Sequence, residues 1–169
     1  PMTVGKTPEE TSVVMTQLVL PGMTNLLGNL LGGQMMHWMD VAGALCCMRH
    51  CNMHVATMAV EALEFRHPVR QGEMVSLKAK LIWAGKTSMK VKITATAENL
   101  ATGATIITNV AKYTFVALDK EGRKAAVPRL LIASDFDGVV APIVSDRDAV
   151  QPDPQALATS IARLRTATV

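Results

Sequence analysis

The sequence predicts an α+β fold in which one strongly curved antiparallel sheet wraps a single buried helix. Three observations carry this reading. From about Gln34 to Cys51 the chain lacks proline and is full of Met, Ala, Leu and Cys, which argues for a helix of roughly five turns. After Asn52 the pattern changes to period two and stays so for several long segments. The composition, with 49% apolar and 18% charged residues in 169, can fill one core and does not belong to a disordered chain.

Taken in order, Ser12–Leu20 is β-rich and stops at Pro21-Gly22, a turn signal. A loop with glycines and asparagines follows, "MTNLLGNLLGG". The helix after it is apolar nearly all round, so it should be buried and central rather than a surface element. "HVATMAVEALEFRHPV" then reads as a strand broken towards its end by His67-Pro68. Three further strands, "EMVSLKAKLIWAG", "TSMKVKITATAENL" and "GATIITNVAKYTFVALD", are joined by Gly-Lys-Thr and Ala-Thr-Gly turns. Val91, Ile93, Ala95 and Ala97 alternate with Lys90, Lys92, Thr94 and Thr96, the pattern of a sheet with one wetter face. A basic, turn-rich segment, "LDKEGRKAAVP", ends the sheet. One helix on one curved sheet leaves exposed edges and an uncovered face, so dimerisation is expected.

Several function classes find no support. Net charge is only +3, and no Lys/Arg cluster with interleaved aromatics suggests nucleic-acid binding. No stretch approaches the roughly 18–20 apolar residues that span a bilayer, and the N-terminal "PMTVGKTPEET" has no apolar signal-peptide core. Cys46, Cys47 and Cys51 crowd one segment, match no zinc spacing and read as free thiols in a reducing compartment. A soluble, cytoplasmic protein without a metal is expected.

The chemistry concentrates in the loop and helix. Gly32 and Gly33 directly precede the predicted helix, where glycine admits a close ligand and the free N–H groups attract negative charge. The same pair also serves as plain turn chemistry. Asp40 lies about two turns on, the only acid between Glu10 and Glu61. A carboxylate there needs either hydroxyl and backbone donors or a chemical task. Gly43 and Ala44, at i+3 and i+4, would leave space beside it. His37, at i−3, could pair with Asp40 or simply pack the helix. Asn25 could donate an amide hydrogen bond or stabilise a turn. Thr57, Thr87 and Ser88 read by themselves as ordinary strand residues.

Together, "TNLLGNLLGGQMMHWMDVAGAL" resembles the hotdog-fold acyl-CoA thioesterases, in the group of YciA-type enzymes and cytosolic acyl-CoA hydrolases. The carrying positions are Asn25, Gly28, Gly32, Gly33 and Asp40. "TMAVEALEFRHPVRQGE", "GKTSMKVKI" and "YTFVALDKEGRKAAVP" follow in the family's order, so the resemblance covers residues 11–128. It implies a hotdog fold, thioester hydrolysis of acyl-CoA to fatty acid and CoA, and no cofactor beyond the CoA carried by the substrate. It implies homodimers that share active sites and join as a trimer of dimers. By the same resemblance Asp40 is the general base or nucleophile, Asn25 comes from the opposite subunit, Gly32 and Gly33 polarise the carbonyl, and Thr57 lies near the site. Gly85, Lys86, Thr87 and Ser88, with Arg123 and Lys124, would meet the CoA phosphates and nucleotide. Leu26-Leu27 departs from the small or polar residues common in bacterial relatives, which bears on substrate preference.

Residues 1–10 read as a tail. Residues 129–169 start afresh as strand, turn and helix, with Asp153-Pro154 as a helix start and Leu157, Ile161 and Leu164 on one face. "LLIASDFDGVVAPIVSDRDAVQPDP" resembles the start of a haloacid-dehalogenase-type phosphatase, of the trehalose-phosphate kind, with Asp135 and Asp137 at the "DFDG" aspartates. About forty residues are too few for an independent domain, and the later Ser/Thr, Lys and Mg²⁺-binding acids that such phosphatases need have no counterpart in the segment, so no phosphatase activity is expected. The alternatives to a thioesterase are a non-catalytic acyl-CoA-binding hotdog module and one part of a bifunctional thioesterase–phosphatase.

Overall fold

The computed structural model describes residues 5–133 and 140–142. A short helix, α1 (Pro8–Thr11), opens the fold, held by a reciprocal capping box between Thr7 and Glu10. Strand β1 (Val13–Leu18) follows, then a turn of 3-10 helix at Pro21–Met23, then the long helix α2 (Gly32–Cys51). Four strands complete the main sheet: β2 (His54–Phe65), β3 (Met74–Ala84), β4 (Ser88–Glu98) and β5 (Thr105–Leu118). A small antiparallel hairpin of β6 (Leu131–Ala133) and β7 (Val140–Pro142) ends the described chain.

The sheet order is β1-β3-β4-β5-β2, and every pairing is antiparallel. The strand β2 therefore forms an open edge although it follows α2 directly, because it returns to pair with the last strand, β5. The predicted alternation holds along β3 and β4. Val75, Leu77, Ala79 and Leu81, with Met89, Val91, Ile93, Ala95 and Ala97, are buried on the inner face. Tyr113, Phe115 and Ala117 of β5 complete the floor on which α2 lies. Alanines at the middle of that floor let the helix settle close to the backbone.

The helix differs from expectation in two ways. It begins at Gly32, two residues early, so Gly32 and Gly33 are its first turn rather than the turn before it. It is also apolar all round but buried on one side only. Met35, Trp38, Met39, Ala42, Cys46 and Cys47 face the sheet, whereas Met36, Leu45 and Met48 are exposed. One sheet covers one face of a helix, and the remaining apolar face needs another body to cover it. No described helix is long and apolar enough to cross a membrane.

Contacts to the body of the fold continue after residue 128. Leu130 is fully buried, the Leu131 N–H donates to the Lys6 carbonyl at 3.0 Å, and Pro128 is bonded to His50. The predicted helix from Asp153 with its face of Leu157, Ile161 and Leu164, and the "DFDG" aspartates Asp135 and Asp137, lie outside the described residues.

Candidate active site

Asp40 sits two turns into α2, half-buried, on the side that looks towards β2. Across from it, Thr57 lies where the β2–β5 register breaks: Thr57 pairs with Phe115 and Ala59 with Thr114, leaving Met58 as the extra residue of a bulge. The Thr57 hydroxyl donates to Asp40 Oδ1 at 2.5 Å. A hydroxyl bond to a carboxylate at that distance is a strong one, and it fixes one oxygen while leaving the other.

Beneath this pair lies Tyr113, the only tyrosine of the chain. Its hydroxyl donates to the Met36 carbonyl at 3.3 Å. Met36 is four residues before Asp40, so that carbonyl also faces the Asp40 N–H in the helical ladder. Burial first, and then the nearby Asp40 charge, push the phenol up from its ordinary value. Tyr113 was not legible in the sequence as part of this site, because a lone aromatic in an apolar strand reads as core. The available signal was that a buried phenol needs a partner.

In the first turn of α2 the Gly32 and Gly33 N–H groups have no partner among the described residues, whereas those of Gln34 and Met35 donate to the Leu31 carbonyl. The helix cap, Leu31, has no side-chain hydrogen bond, and a Cβ on Gly33 would meet nothing within 4 Å. Gly32 lies against the ring of Phe65, at 3.4 Å from the position a Cβ would take. An anionic oxygen can therefore approach backbone N–H groups on the same helix that carries Asp40.

Two expected neighbours are placed differently. Gly43 opens no space beside Asp40: its missing side chain admits Phe115 and Ile93, whose atoms lie 2.8 and 3.2 Å from a built Cβ. His37 is exposed, and no hydrogen bond joins it to Asp40. Asn25 stays in its loop, where its side-chain oxygen accepts from the N–H groups of Leu27 at 2.9 Å and Asn29 at 3.1 Å. Gly28, with φ +75°, makes this tight loop possible. No hydrogen bond links Asn25 to Asp40 within one protomer, and its amide NH₂ has no partner among the described residues.

The two segments expected to meet CoA are neighbours. Gly85, Lys86, Thr87 and Ser88 form the β3–β4 turn, closed by a bond from Gly85 N–H to the Ser88 carbonyl at 2.8 Å. The Lys86 carbonyl accepts from Val127 and the Thr87 carbonyl from Ala117, which ties the turn to the chain leaving β5. In that chain Lys124 bridges back to Leu118, while Arg123 pairs with Asp119 at 3.0 Å and Glu121 at 3.1 Å. The Arg123 backbone N–H, foremost, and its side chain hold the Asp119 carboxyl below its usual range. Lys86 and Lys124 thus offer more open charge here than Arg123.

The cysteines are free and buried. Burial raises all three thiols, Cys46 to about 11, so none supplies a thiolate at neutral pH. Among the described residues no group of three His, Cys, Asp or Glu is placed to hold a metal ion. A cleft of about 460 Å³ opens at the C-terminal end of α2, lined by Met48, Met53, His54 and Leu118 among others, and neither Asp40 nor Thr57 lines it.

Comparison with known proteins adds the family. The sequence profile of the Thioesterase superfamily matches residues 27–104. An uncharacterised acyl-CoA thioester hydrolase of Bacillus subtilis, YkhA, is 34% identical over 123 residues, covering 73% of this chain and 72% of the relative. The acyl-CoA thioester hydrolase YciA of Escherichia coli is 31% identical over 119 residues, covering 69% and 90%. Among solved structures, the acyl-CoA hydrolase of Bacillus cereus superposes with a TM-score of 0.72 at 31% identity, covering 96% of this chain and 88% of its own. The hexameric thioesterase y2039 of Yersinia pestis gives 0.64 at 28% identity, covering 68% and 93%. With its antiparallel sheet wrapped on one helix and this degree of likeness over most of their length, the chain belongs to the hotdog-fold acyl-CoA thioester hydrolase family.

Proposed function

We propose that this protein hydrolyses acyl-CoA thioesters to a fatty acid and CoA, with Asp40 as the group that activates water or attacks directly. The observation that carries the assignment is the Asp40–Thr57 pair, set on the open side of α2 behind an uncapped first turn. A thioester carbonyl laid over Gly32 and Gly33 would have its oxygen on the free N–H groups. Asp40 then takes a proton from water, the hydroxide oxygen bonds to the carbonyl carbon, and the negative charge gathers on the carbonyl oxygen. Collapse of the tetrahedral species breaks the C–S bond and releases the CoA thiolate, which takes up the proton Asp40 had accepted and so restores the carboxylate. Thr57 holds one carboxylate oxygen, so the other faces the water. Water is the only co-reactant this sequence of steps needs.

The site is half of a larger one in our reading. Asn25, with its amide NH₂ unspent, would reach the Asp40 of a second copy and donate to the carbonyl or the water. The exposed apolar residues of β2, Met58, Val60 and Phe65, together with Met36 and Leu45 of α2, support burial by that copy. The solved thioesterase of Yersinia pestis is hexameric, which supports a trimer of such dimers. Lys86, Thr87, Ser88, Lys124 and Arg123, with Gly85 in the turn, would receive the phosphates and nucleotide of CoA. Three buried free thiols fit a reducing, cytoplasmic setting.

The test is release of free thiol from a panel of acyl-CoA chain lengths. Wild type should release CoA from at least one class. Asp40→Ala should fall by roughly 10²- to 10⁴-fold, and Asn25→Ala by less. Binding of acyl-CoA without any release would instead show a non-catalytic acyl-CoA module, and full activity in Asp40→Ala would remove the base assignment.

A further inference from the structure

Leu26 is fully exposed and Leu27 is 83% exposed, the barest large apolar side chains among the described residues. Two such leucines side by side mark a contact surface more than a single one would. They do not stand on a loose loop. The Asn25 N–H donates to the Asn29 carbonyl at 2.8 Å and the Gly28 N–H to the Asn25 carbonyl at 3.0 Å, while the Asn25 side-chain oxygen accepts from Leu27 and Asn29. The pair is thus presented on a preformed turn, and covering it costs little further ordering of the chain. From Thr11 to Met36 the sequence holds no charged residue, so the loop can be covered without stranding an ion.

The complement is the cleft of about 460 Å³ at the C-terminal end of α2, where Met48, Met53 and Leu118 give apolar walls. The Asp119 carboxylate that also lines it is already taken up by Arg123. One protomer cannot fill its own cleft. The leucine loop is fastened at the Phe65 end of β2, where the Leu30 N–H donates to the Val69 carbonyl at 2.7 Å and Gly32 rests against the Phe65 ring. The cleft is at the His54 end, the other end of a strand of 12 residues, roughly 35 Å away along it. Antiparallel two-fold pairing of two β2 edges reverses this, because it sets the Phe65 end of one copy beside the His54 end of the other. Eight residues of α2 separate Asp40 from Met48, about 12 Å. Leu27 stands two residues from Asn25, up to about 7 Å before the length of its side chain is added. A copy that lends Asn25 to Asp40 therefore brings Leu26 and Leu27 within reach of Met48. On the reading that two copies share the site, we propose that Leu26 and Leu27 of each copy seat in the Met48–Met53–Leu118 cleft of the other and so act as positioning residues for Asn25.

Two experiments on the full chain test this. A variant carrying Leu27→Cys and Met48→Cys, treated with a short bismaleimide, should run as covalent dimers on a denaturing gel. The yield should exceed that of either single variant about tenfold, because the contact holds the two thiols at high effective concentration. Leu27 and Met48 are exposed, so neither change endangers the fold, and Cys46, Cys47 and Cys51 are buried away from the reagent. In the second experiment Leu26→Ser with Leu27→Ser should lower kcat about tenfold, the worth of one misplaced hydrogen bond, and should raise KM less than that. Adding Asn25→Ala to that pair should cost no more than Asn25→Ala alone, since both changes remove the same contribution. Cross-linking no higher than in the single variants, or full additivity of the leucine and asparagine changes, overturns the proposal. Light scattering of wild type separates it from the two-copy reading. An assembly that gives no cross-link overturns the leucine contact alone, whereas a monomer overturns both.

Discussion

At the scale of single residues, the pair to probe is Asp40 and Thr57. Because the Thr57 hydroxyl is 2.5 Å from Asp40 Oδ1, Thr57→Val should lower kcat by roughly ten- to a hundredfold, the worth of one hydrogen bond to a charge. Thr57→Ser should keep most of the rate, since only the hydroxyl is needed, and thiol release at saturating substrate checks both. Gly43→Ala separates two opposed effects. Alanine favours a helix interior by about 1 kcal/mol over glycine. Here its Cβ would stand 2.8 Å from the buried Phe115 ring and 3.2 Å from Ile93, and overpacking of that kind costs about 1–3 kcal/mol. The clash should win, so thermal melting should show a lower Tm, with Phe115→Leu in the same chain restoring part of it. Asp40 stood out in the sequence as a lone acid in an apolar run, which left a structural and a chemical role equally open; the family resemblance of its spacing from Asn25, Gly32 and Gly33 is what implied the proposed role. The use of Gly43 was not, since glycine's neighbour sat in a strand more than seventy residues away and spacing along the helix could not reveal it.

At the scale of elements, strand order along the chain and the period-two faces of β3 and β4 were legible, because alternation is written locally. Which half of an all-apolar helix is covered was not, because that depends on where β2 finds its place in the sheet. Nor was the strap that closes the core at the end of α2. There His50 is fully buried, with Nε2 2.9 Å from the Pro128 carbonyl. That carbonyl only accepts, so Nε2 carries the proton and Nδ1 is the bare nitrogen, buried without a partner among the described residues. Burial, foremost, and the Lys6 charge hold His50 below its ordinary value near 6.5, against the pull of the Pro128 bond. The sign follows: above that value His50 is neutral in both folded and unfolded chains and contributes no pH dependence. As pH falls below it the unfolded chain takes up the proton first, so stability declines until the lower folded value is reached. Melting temperatures from pH 7.5 to 5 should therefore fall, and less steeply in His50→Gln. The same strap predicts where the chain tolerates cutting. Ending it at Val127 removes buried Leu130 and should cost about 2–3 kcal/mol, whereas ending it at Pro142 retains Leu130 and the Lys6 bond. Denaturant midpoints of the two truncated chains compare these outcomes directly.

For the whole molecule, the β2 edge is the feature that bears on assembly. An edge strand presents unpaired N–H and C=O groups, and proteins that remain single usually blunt it with charge or proline. Along β2 three large apolar side chains are exposed, Met58 at 63%, Val60 at 43% and Phe65 at 56%, while the charges it carries, Glu61 and Glu64, are taken up by Lys90 and Arg66. The strand is not flat: two register breaks and Ala62 in the left-handed region at φ +49° bend it, so its free edge suits a partner of matching curvature better than an arbitrary strand. Asn25 fits the same picture, since its side-chain oxygen is spent within its loop and its NH₂ is left to donate elsewhere. If a second copy covers this edge and lends Asn25, assembly and catalysis are one property. Val60→Glu, which places a charge at the centre of the edge without touching Asp40 or Thr57, should yield a protomer of about 18 kDa by light scattering, with its circular dichroism kept. Its thiol release should fall with the loss of assembly and recover in part at high protein concentration, because mass action favours the associated form. A monomeric Val60→Glu protein with the full rate per chain would show that each protomer holds a complete site, and Asn25 would then have to be reassigned to its loop alone.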